Sequence, residues 1–426
     1  MSTETRIPPQ SEILPASISG FSGYRWLMVV VAAVAMVATL PGRTHGLGMI
    51  TERLLNDPDF QLTRASYGMI NLWATLWGAL FCLGVGQCID RYGIRLTLTV
   101  VMGLLGAVVV GMSTVTSVWL LFLAIMLTRG FGQSALSVVS ITIVGKWFDK
   151  QVSLPMAIYS VLMSVGFIAA ALLGRECADL NWRVFWSGTG WIILGATVVL
   201  GLITRDRQAP PADATESRSP ENQPEQQSYT LRQAMRTPAF WVFASGISLY
   251  GMIVSGISLF NESILADQGF SKEVYYNSLA LGTGVGMLSN LLAGALGLKW
   301  SFNRLLALSL FMLSGSMIWL TRLKTSGDVA GYVIVSASAG GILTVMFFSV
   351  WPALYGRNHL GRIQGLAQMM TVLASALGPL VFAQCKTLTG SYHSLLYLLA
   401  ACLFCAAVIG WLTPLPQIKS SSTGVS

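Results

Sequence analysis

The sequence carries little charge for its size. Only 10% of its 426 residues are Asp, Glu, Lys or Arg, while 54% are hydrophobic; soluble domains carry about 25% charged residues. So few charges cannot cover a water-exposed surface, which excludes an ordinary soluble protein. The mean hydropathy of +0.64 and the 13 tryptophans indicate a polytopic membrane protein instead, because Trp gathers at membrane interfaces.

Residues that hold metals or attack substrates are also scarce. The chain has three histidines and six cysteines. The one close pair, Cys402 and Cys405, lies inside an apolar run, where thiols act as small packing groups. Zinc-ligand spacings, phosphate-binding loops and nucleophile elbows do not occur in the sequence. We therefore expect no metal, no cofactor and no enzyme activity.

Twelve apolar stretches are long enough to cross a bilayer, for which a helix needs about 20 residues. They lie near 25–50, 66–87, 95–113, 117–144, 153–174, 183–203, 239–261, 274–297, 304–321, 329–355, 363–385 and 392–412. An even number of crossings puts both termini on one side. We expect no cleavable signal peptide, because the first apolar run follows a polar stretch of about 23 residues and precedes no small-residue cleavage site.

A polar, proline-containing segment at 204–237 divides the chain and predicts a flexible linker. It separates an N-terminal six-helix bundle at 1–203 from a C-terminal six-helix bundle at 238–426. The segments 46–57 and 256–267 share Gly, Glu, Leu and Asp at matching positions, as expected for an internal repeat. The predicted fold is therefore all-α, with 12 transmembrane helices in two bundles facing a central cavity.

The net charge of +8 comes mainly from one side of the predicted membrane protein. Most Lys and Arg residues fall on the side of the termini and the linker, which the positive-inside rule assigns to the cytoplasm, while Asp and Glu divide evenly. The excess positive charge at that surface favours contact with anionic membrane lipid. We expect no nucleic-acid partner.

The segment 86–95, Gly86-Gln-Cys-Ile-Asp90-Arg91-Tyr-Gly93-Ile-Arg95, resembles the signature of the major facilitator superfamily, in the loop between spans 2 and 3. In this interpretation Gly86 admits a close helix, Asp90 pairs with Arg91, Arg95 or the end of another helix, and Gly93 permits a tight turn. The resemblance implies that these residues latch the two bundles together on the inner side. The alternative is an ordinary basic turn.

This resemblance implies a secondary active transporter working by alternating access, with a small-molecule substrate and proton coupling as an option. We expect a monomer in a bacterial inner membrane. The segments 144–148 and 355–365 look like the monocarboxylate and oxalate/formate exchanger branch. Two alternatives stay open: a drug or metabolite efflux pump, which the missing mid-span carboxylates disfavour, and a transporter-like sensor or assembly protein.

Arg129 lies about 18 Å into span 4, close to mid-bilayer, where an unpaired charge costs several kcal/mol. Its Arg-x-x-Gly context resembles the family's span-4 motif, which implies substrate or ion coupling; the alternative is a structural arginine that caps carbonyls. No carboxylate lies near it on its own helix, so an anionic substrate is the simplest partner. Gln133 continues the same polar face.

Other candidates line polar helix faces. Pro41 and Gly42 break span 1, which places Arg43 and His45 near the outer rim of the cavity, although an Arg at a helix end can also snorkel to the interface. Asn290 in span 8 and Gln368 in span 11 belong to polar stripes that point inward. Such stripes either bind substrate or join neighbouring helices.

Overall fold

The computed structural model describes residues 17–148, 152–177, 180–206 and 228–416, and within these ranges all regular secondary structure is helical. In chain order the helices are α1 (Ser17–Val37), α2 (Thr44–Leu55), α3 (Arg64–Ala79), α4 (Phe81–Tyr92), α5 (Ile94–Met112), α6 (Val118–Thr128), α7 (Ser137–Trp147), α8 (Ser153–Glu176), α9 (Trp182–Ile203), α10 (Leu231–Met235), α11 (Pro238–Ala266), α12 (Lys272–Leu296), α13 (Phe302–Leu320), α14 (Ser326–Tyr355), α15 (Leu360–Thr389) and α16 (His393–Leu412). A 3-10 turn at Leu40–Gly42 joins α1 to α2, and a π-helical stretch at Arg129–Leu136 joins α6 to α7.

In the described residues, eleven helical segments are long and apolar enough to cross a membrane, and the shorter apolar helix Gly23–Val37 supplies a twelfth. Hydrocarbon offers no hydrogen-bond partners, so each spanning segment satisfies its backbone internally as a helix. The predicted all-α, twelve-span membrane fold is confirmed.

Span 1 is broken at Pro41 and Gly42, as their residue types predict, and it extends past the predicted end at residue 50. It stops at Val37, turns through Leu40–Gly42 and resumes as α2, which runs on to Leu55. Pro41 lacks a backbone N–H and fixes its own φ, which ends regular helical hydrogen bonding here. The broken segment exposes backbone inside the bundle instead of to lipid.

The last ten residues of the predicted linker, 228–237, are ordered. Its residues 207–227 lie outside the described part of the chain, but from residue 228 onward the structure is regular. Thr230 and Gln233 form a reciprocal capping box that starts α10, and the Tyr229 amide donates to the Tyr355 carbonyl. The end of the predicted linker is thus part of the C-terminal structure.

Candidate functional site

We call residues 17–206 the first half and residues 228–416 the second half, and we call the membrane side that carries residues 206 and 228 the linker end. A cavity of about 570 Å³ lies between the halves. Its walls come from His45 and α8 in the first half and from α11, α12, α13 and α14 in the second. Among the described residues, no Asp, Glu, Lys or Arg side chain lines it.

The halves are in tight contact at the linker end. A Cβ on Gly86 would lie 2.4 Å from the carbonyl oxygen of Gly361, and a Cβ on Gly361 would lie 2.6 Å from the carbonyl oxygen of Gly86. Only glycine allows α4 and α15 to approach this closely. A second crossing joins α8 and α12, where a Cβ on Gly294 would lie 2.4 Å from that of Ala157. The cavity residues lie along the middle of their helices and toward the opposite end.

Asp90 connects the halves at this contact. Its carboxylate accepts hydrogen bonds from the backbone N–H groups of Gly361 and Arg362, both at 3.1 Å, and it pairs with Lys146 at 3.2 Å. Its side chain is 3% exposed. The first turn of α15 offers unpaired N–H groups and the positive end of a helix dipole, which suits a buried carboxylate.

Gly93, Arg91 and Arg95 of segment 86–95 act within the first half. Gly93 has φ of +86°, a conformation that favours glycine. Arg91 lies over the Tyr92 ring, and Arg95 donates from Nε to the carbonyl of Gly201 at 2.9 Å. Thus the basic partner of Asp90 is Lys146, not either arginine of its own segment.

Arg357 adds a further contact at the linker end. It donates from Nη1 to the carbonyl of Lys146 at 3.4 Å. Burial, together with the nearby charge of Arg25, lowers the pKa of the Arg357 guanidinium. The two segments that look like the monocarboxylate branch, 144–148 and 355–365, therefore meet each other here and not at the cavity.

Arg43 is placed by two interlocked irregular segments. A Cβ on Gly42 would lie 2.4 Å from the Thr128 carbonyl, and a Cβ on Gly132 would lie 3.2 Å from Gly42 Cα. The broken end of span 1 therefore nests into the π-helical stretch of span 4. Irregular backbone of this kind occurs in membrane proteins where it lines protein or a cavity.

The guanidinium of Arg43 has only neutral partners in the described part of the chain. Nε donates to Thr39 Oγ1 at 2.7 Å, and Nη2 lies 3.2 Å from Ser137 Oγ and 2.9 Å from Met36 Sδ. Its Cζ lies 5.2 Å from the centroid of the Phe167 ring. The His45 ring also contacts Phe167, with 5.4 Å between the two ring centroids.

Both Phe167 and His45 line the cavity. Arg43 is therefore separated from the cavity by a single aromatic ring. Phe167 was not predicted as a site residue, because no sequence pattern marks a phenylalanine in an apolar span as facing a cavity.

Arg129 lies deeper in the first half and does not line the cavity. It is 4% exposed. Nη1 donates to Gln133 Oε1 at 2.9 Å and Nη2 to Asn71 Oδ1 at 2.8 Å, while Nε has no partner within the described ranges. The Asn71 amide nitrogen donates to the Tyr67 carbonyl, which fixes its oxygen toward Arg129. Asn71 was also missed, although a carboxamide inside the apolar run 66–87, away from its ends, is a usable signal.

Asn71→Leu tests this arrangement. It leaves Nη2 of a buried guanidinium unpaired, and a hydrogen bond to a charged group is worth about 1.5–3 kcal/mol. We expect a clear fall in the midpoint of thermal unfolding in detergent. Asn303→Leu removes a half-buried carboxamide at the start of α13, which makes a 3.5 Å bond to the Trp411 carbonyl and accepts one from the neighbouring Arg304 amide, and it should lower the midpoint much less. Equal midpoints for both variants would contradict the assignment.

The two remaining candidates, Asn290 and Gln368, lie in different places. Asn290 lines the cavity together with His45. Gln368 does not. It is 8% exposed on α15, and no described residue bonds to its Oε1. Farther along the same stripe, Thr371 lies 3.5 Å from Ser248 of α11, so that part joins neighbouring helices. In the described ranges no cluster of His, Cys, Asp or Glu is arranged to hold a metal ion.

Comparison with known proteins decides the family. The profile of the major facilitator superfamily matches residues 47–379. The chain belongs to this superfamily. A search of curated proteins found no matching relative. This confirms the family predicted from segment 86–95, while the finer branch stays a prediction.

Solved structures of superfamily transporters share the fold. The human organic anion transporter TETRAN aligns with a TM-score of 0.67 at 15% identity, over 93% of this chain and 100% of its own. The Escherichia coli fucose:proton symporter FucP aligns with a TM-score of 0.66 at 11% identity, over 93% and 99%. Family and fold together indicate an integral, multi-pass membrane transporter and point to transport rather than catalysis.

Proposed function

We propose that this superfamily member is a secondary transporter that carries a small, monocarboxylate-like organic anion by alternating access. In this mechanism residues 1–203 rock against residues 238–426, joined by the linker 204–237. We further propose that it works as a monomer in a bacterial inner membrane with its linker end in the cytoplasm. The anion assignment rests on one observation: Arg43 lies beside the cavity with neutral partners only.

The low dielectric of the membrane interior makes an uncompensated charge costly. A cation held there costs several kcal/mol unless something compensates its charge, and no described carboxylate pairs with Arg43 or Arg129. A bound anion supplies that compensation. The cavity wall, which has no carboxylate, gives a cationic drug no counter-charge, so cation efflux is disfavoured.

The candidate residues take different roles in this proposal. Arg43 attracts and holds the anion from the first half, and His45 beside it is the candidate proton carrier if transport is proton-coupled. Arg129 acts through Gln133 and Asn71 as a positioning residue for the irregular part of span 4. Asn290 binds the substrate from the second half, and Gln368 becomes accessible when the linker end opens.

Alternating access also needs a closure that can be released. We propose that the linker-end contact is this closure: Gly86 permits the helix crossing, Asp90 binds the start of α15, and Gly93 with Arg91 and Arg95 shapes the loop that presents Asp90. Because Asp90 bonds to the second half only while the helices touch, it stabilises the closed linker end selectively.

Asp90→Asn tests the closure. The variant keeps a carbonyl acceptor but loses the ion pair and the interaction with the helix dipole, together worth about 1–2 kcal/mol. The closed population should fall roughly 5- to 30-fold relative to the open one, measured as faster labelling of a cysteine introduced at the crossing of α4 and α15. Asp267→Asn, which breaks an ion pair with Lys386 elsewhere, serves as the control. Unchanged labelling in Asp90→Asn would remove Asp90 from the closure.

A thermal-stability screen tests the substrate class. A ligand that binds only the folded protein stabilises it by mass action, by about 2.7 kcal/mol at a 100-fold excess over Kd. We expect small carboxylates to raise the unfolding midpoint of the purified protein, and uncharged solutes and lipophilic cations to leave it unchanged. Stabilisation by cations alone would favour the efflux alternative.

A further inference from the structure

The second-half wall of the cavity presents hydrogen-bond acceptors. Ser278 donates its hydroxyl proton to the Tyr275 carbonyl at 2.6 Å, and Thr283 donates to Leu279 at 2.9 Å. Thr344 donates to the carbonyl of Gly340 at 2.8 Å. A hydroxyl has one proton and two lone pairs. Because these protons are used within their own helices, the oxygens offer lone pairs to the cavity.

Two carboxamides strengthen this character. Asn261 and Asn290 line the cavity and are 9% and 6% exposed, and neither side-chain oxygen has a hydrogen-bond partner among the residues that the structure describes. A buried polar atom without a partner is costly, and most such atoms in native proteins are bonded. Their position on the cavity wall points to a bound molecule as the missing partner.

The first-half wall differs in the charge that lies behind it. Its side chains at the cavity are His45, Ser164 and the apolar Met163, Phe167 and Ile168, and Arg43 lies directly behind the Phe167 ring. Positive charge therefore stands on one side of the cavity and neutral acceptors on the other. A carboxylate is attracted to the first side, and hydroxyl groups of a ligand can donate to the acceptors on the second.

We propose that the substrate is a polyhydroxylated carboxylate of sugar-acid size, bound with its carboxylate toward Arg43 and its hydroxyls donating to the second-half wall. This deepens the proposed function and rests on it. A cavity of about 570 Å³ is larger than a three-carbon acid needs, since pockets of 300–1,000 Å³ hold much larger ligands. An amino group could also donate, but as an ammonium it lacks a carboxylate partner among the lining residues.

Matched solutes test this proposal on the unmodified protein. Gluconate, hexanoate and sorbitol share a six-carbon chain. Gluconate has a carboxylate and hydroxyl groups, hexanoate has only the carboxylate, and sorbitol has only hydroxyl groups. We expect gluconate to bind at least tenfold more tightly than either of the others, measured by thermal shift across a concentration series. Hexanoate binding as tightly as gluconate would overturn this inference and leave the anion assignment intact. Sorbitol binding without either acid would overturn both.

Variants then locate the hydroxyl contacts. Asn261→Ala and Asn290→Ala should each weaken gluconate binding at least tenfold and change hexanoate binding less than twofold. Asn303→Ala, at a half-buried carboxamide outside the cavity, should change neither. Hexanoate binding also reports that each variant is folded. An equal loss for both acids would overturn the assignment of these amides to the hydroxyl groups.

Discussion

Arg43→Gln should abolish concentrative anion uptake while the protein still folds. The variant removes the positive charge nearest the cavity but keeps a polar side chain that can bond to Thr39 or Ser137. A charge-assisted hydrogen bond contributes about 1.5–3 kcal/mol, so anion affinity should fall roughly 10- to 150-fold. The measurement is the initial uptake rate in liposomes across a range of carboxylate concentrations.

Two companion variants separate charge from geometry. Arg43→Lys keeps the charge without the planar fork and should retain an intermediate uptake rate. Arg53→Gln removes an arginine from α2, the helix that begins directly after Arg43, at a site outside the cavity, where it bonds to the carbonyls of Leu180 and Met49. It should transport normally. Full uptake by Arg43→Gln would refute the anion assignment.

Gly86→Val should block the transport cycle by preventing closure at the linker end. Its Cβ would overlap the carbonyl oxygen of Gly361, at 2.4 Å, and because that oxygen is backbone the helices must separate. We expect uptake to fall more than tenfold, with the protein held open at the linker end. The readout is labelling of a cysteine placed in the cavity, by a reagent added from each side in turn.

The same helix provides a matched control. Gly84 lies two residues earlier on α4, and a Cβ there meets nothing within 4 Å. Gly84→Val therefore has the same change in size and helix propensity without the collision, and it should transport at the normal rate. If both variants transported equally well, the contact between Gly86 and Gly361 would have no part in the cycle.

Much of the fold was predictable because membrane helices are specified locally. Long apolar runs must form helices in hydrocarbon, and their predicted positions agree with the observed helices along the whole described chain. Pro41 also marked the break in span 1. The capped helix α10 was missed because its polar composition is typical of a linker, and its order depends on docking to Tyr355.

The site was less predictable because helix facing is a tertiary property. Arg129 stood out as a mid-span charge, yet its partner Asn71 comes from a different helix, and the cavity lies closer to Arg43. Phe167 matters through its contacts with the His45 ring and the Arg43 guanidinium, which no local pattern encodes. The segments that suggested a monocarboxylate branch, 144–148 and 355–365, lie at the linker-end contact, so they carry information about closure rather than about substrate.

Solute counterflow in liposomes tests the central claim most directly. Vesicles containing the protein are loaded with the carboxylate that stabilises it most, diluted, and given a trace of the same carboxylate in labelled form. We predict a transient accumulation of label, which requires alternating exposure of one binding site, and its loss in Arg43→Gln. Counterflow of an uncharged solute, with none for any carboxylate, would contradict the account.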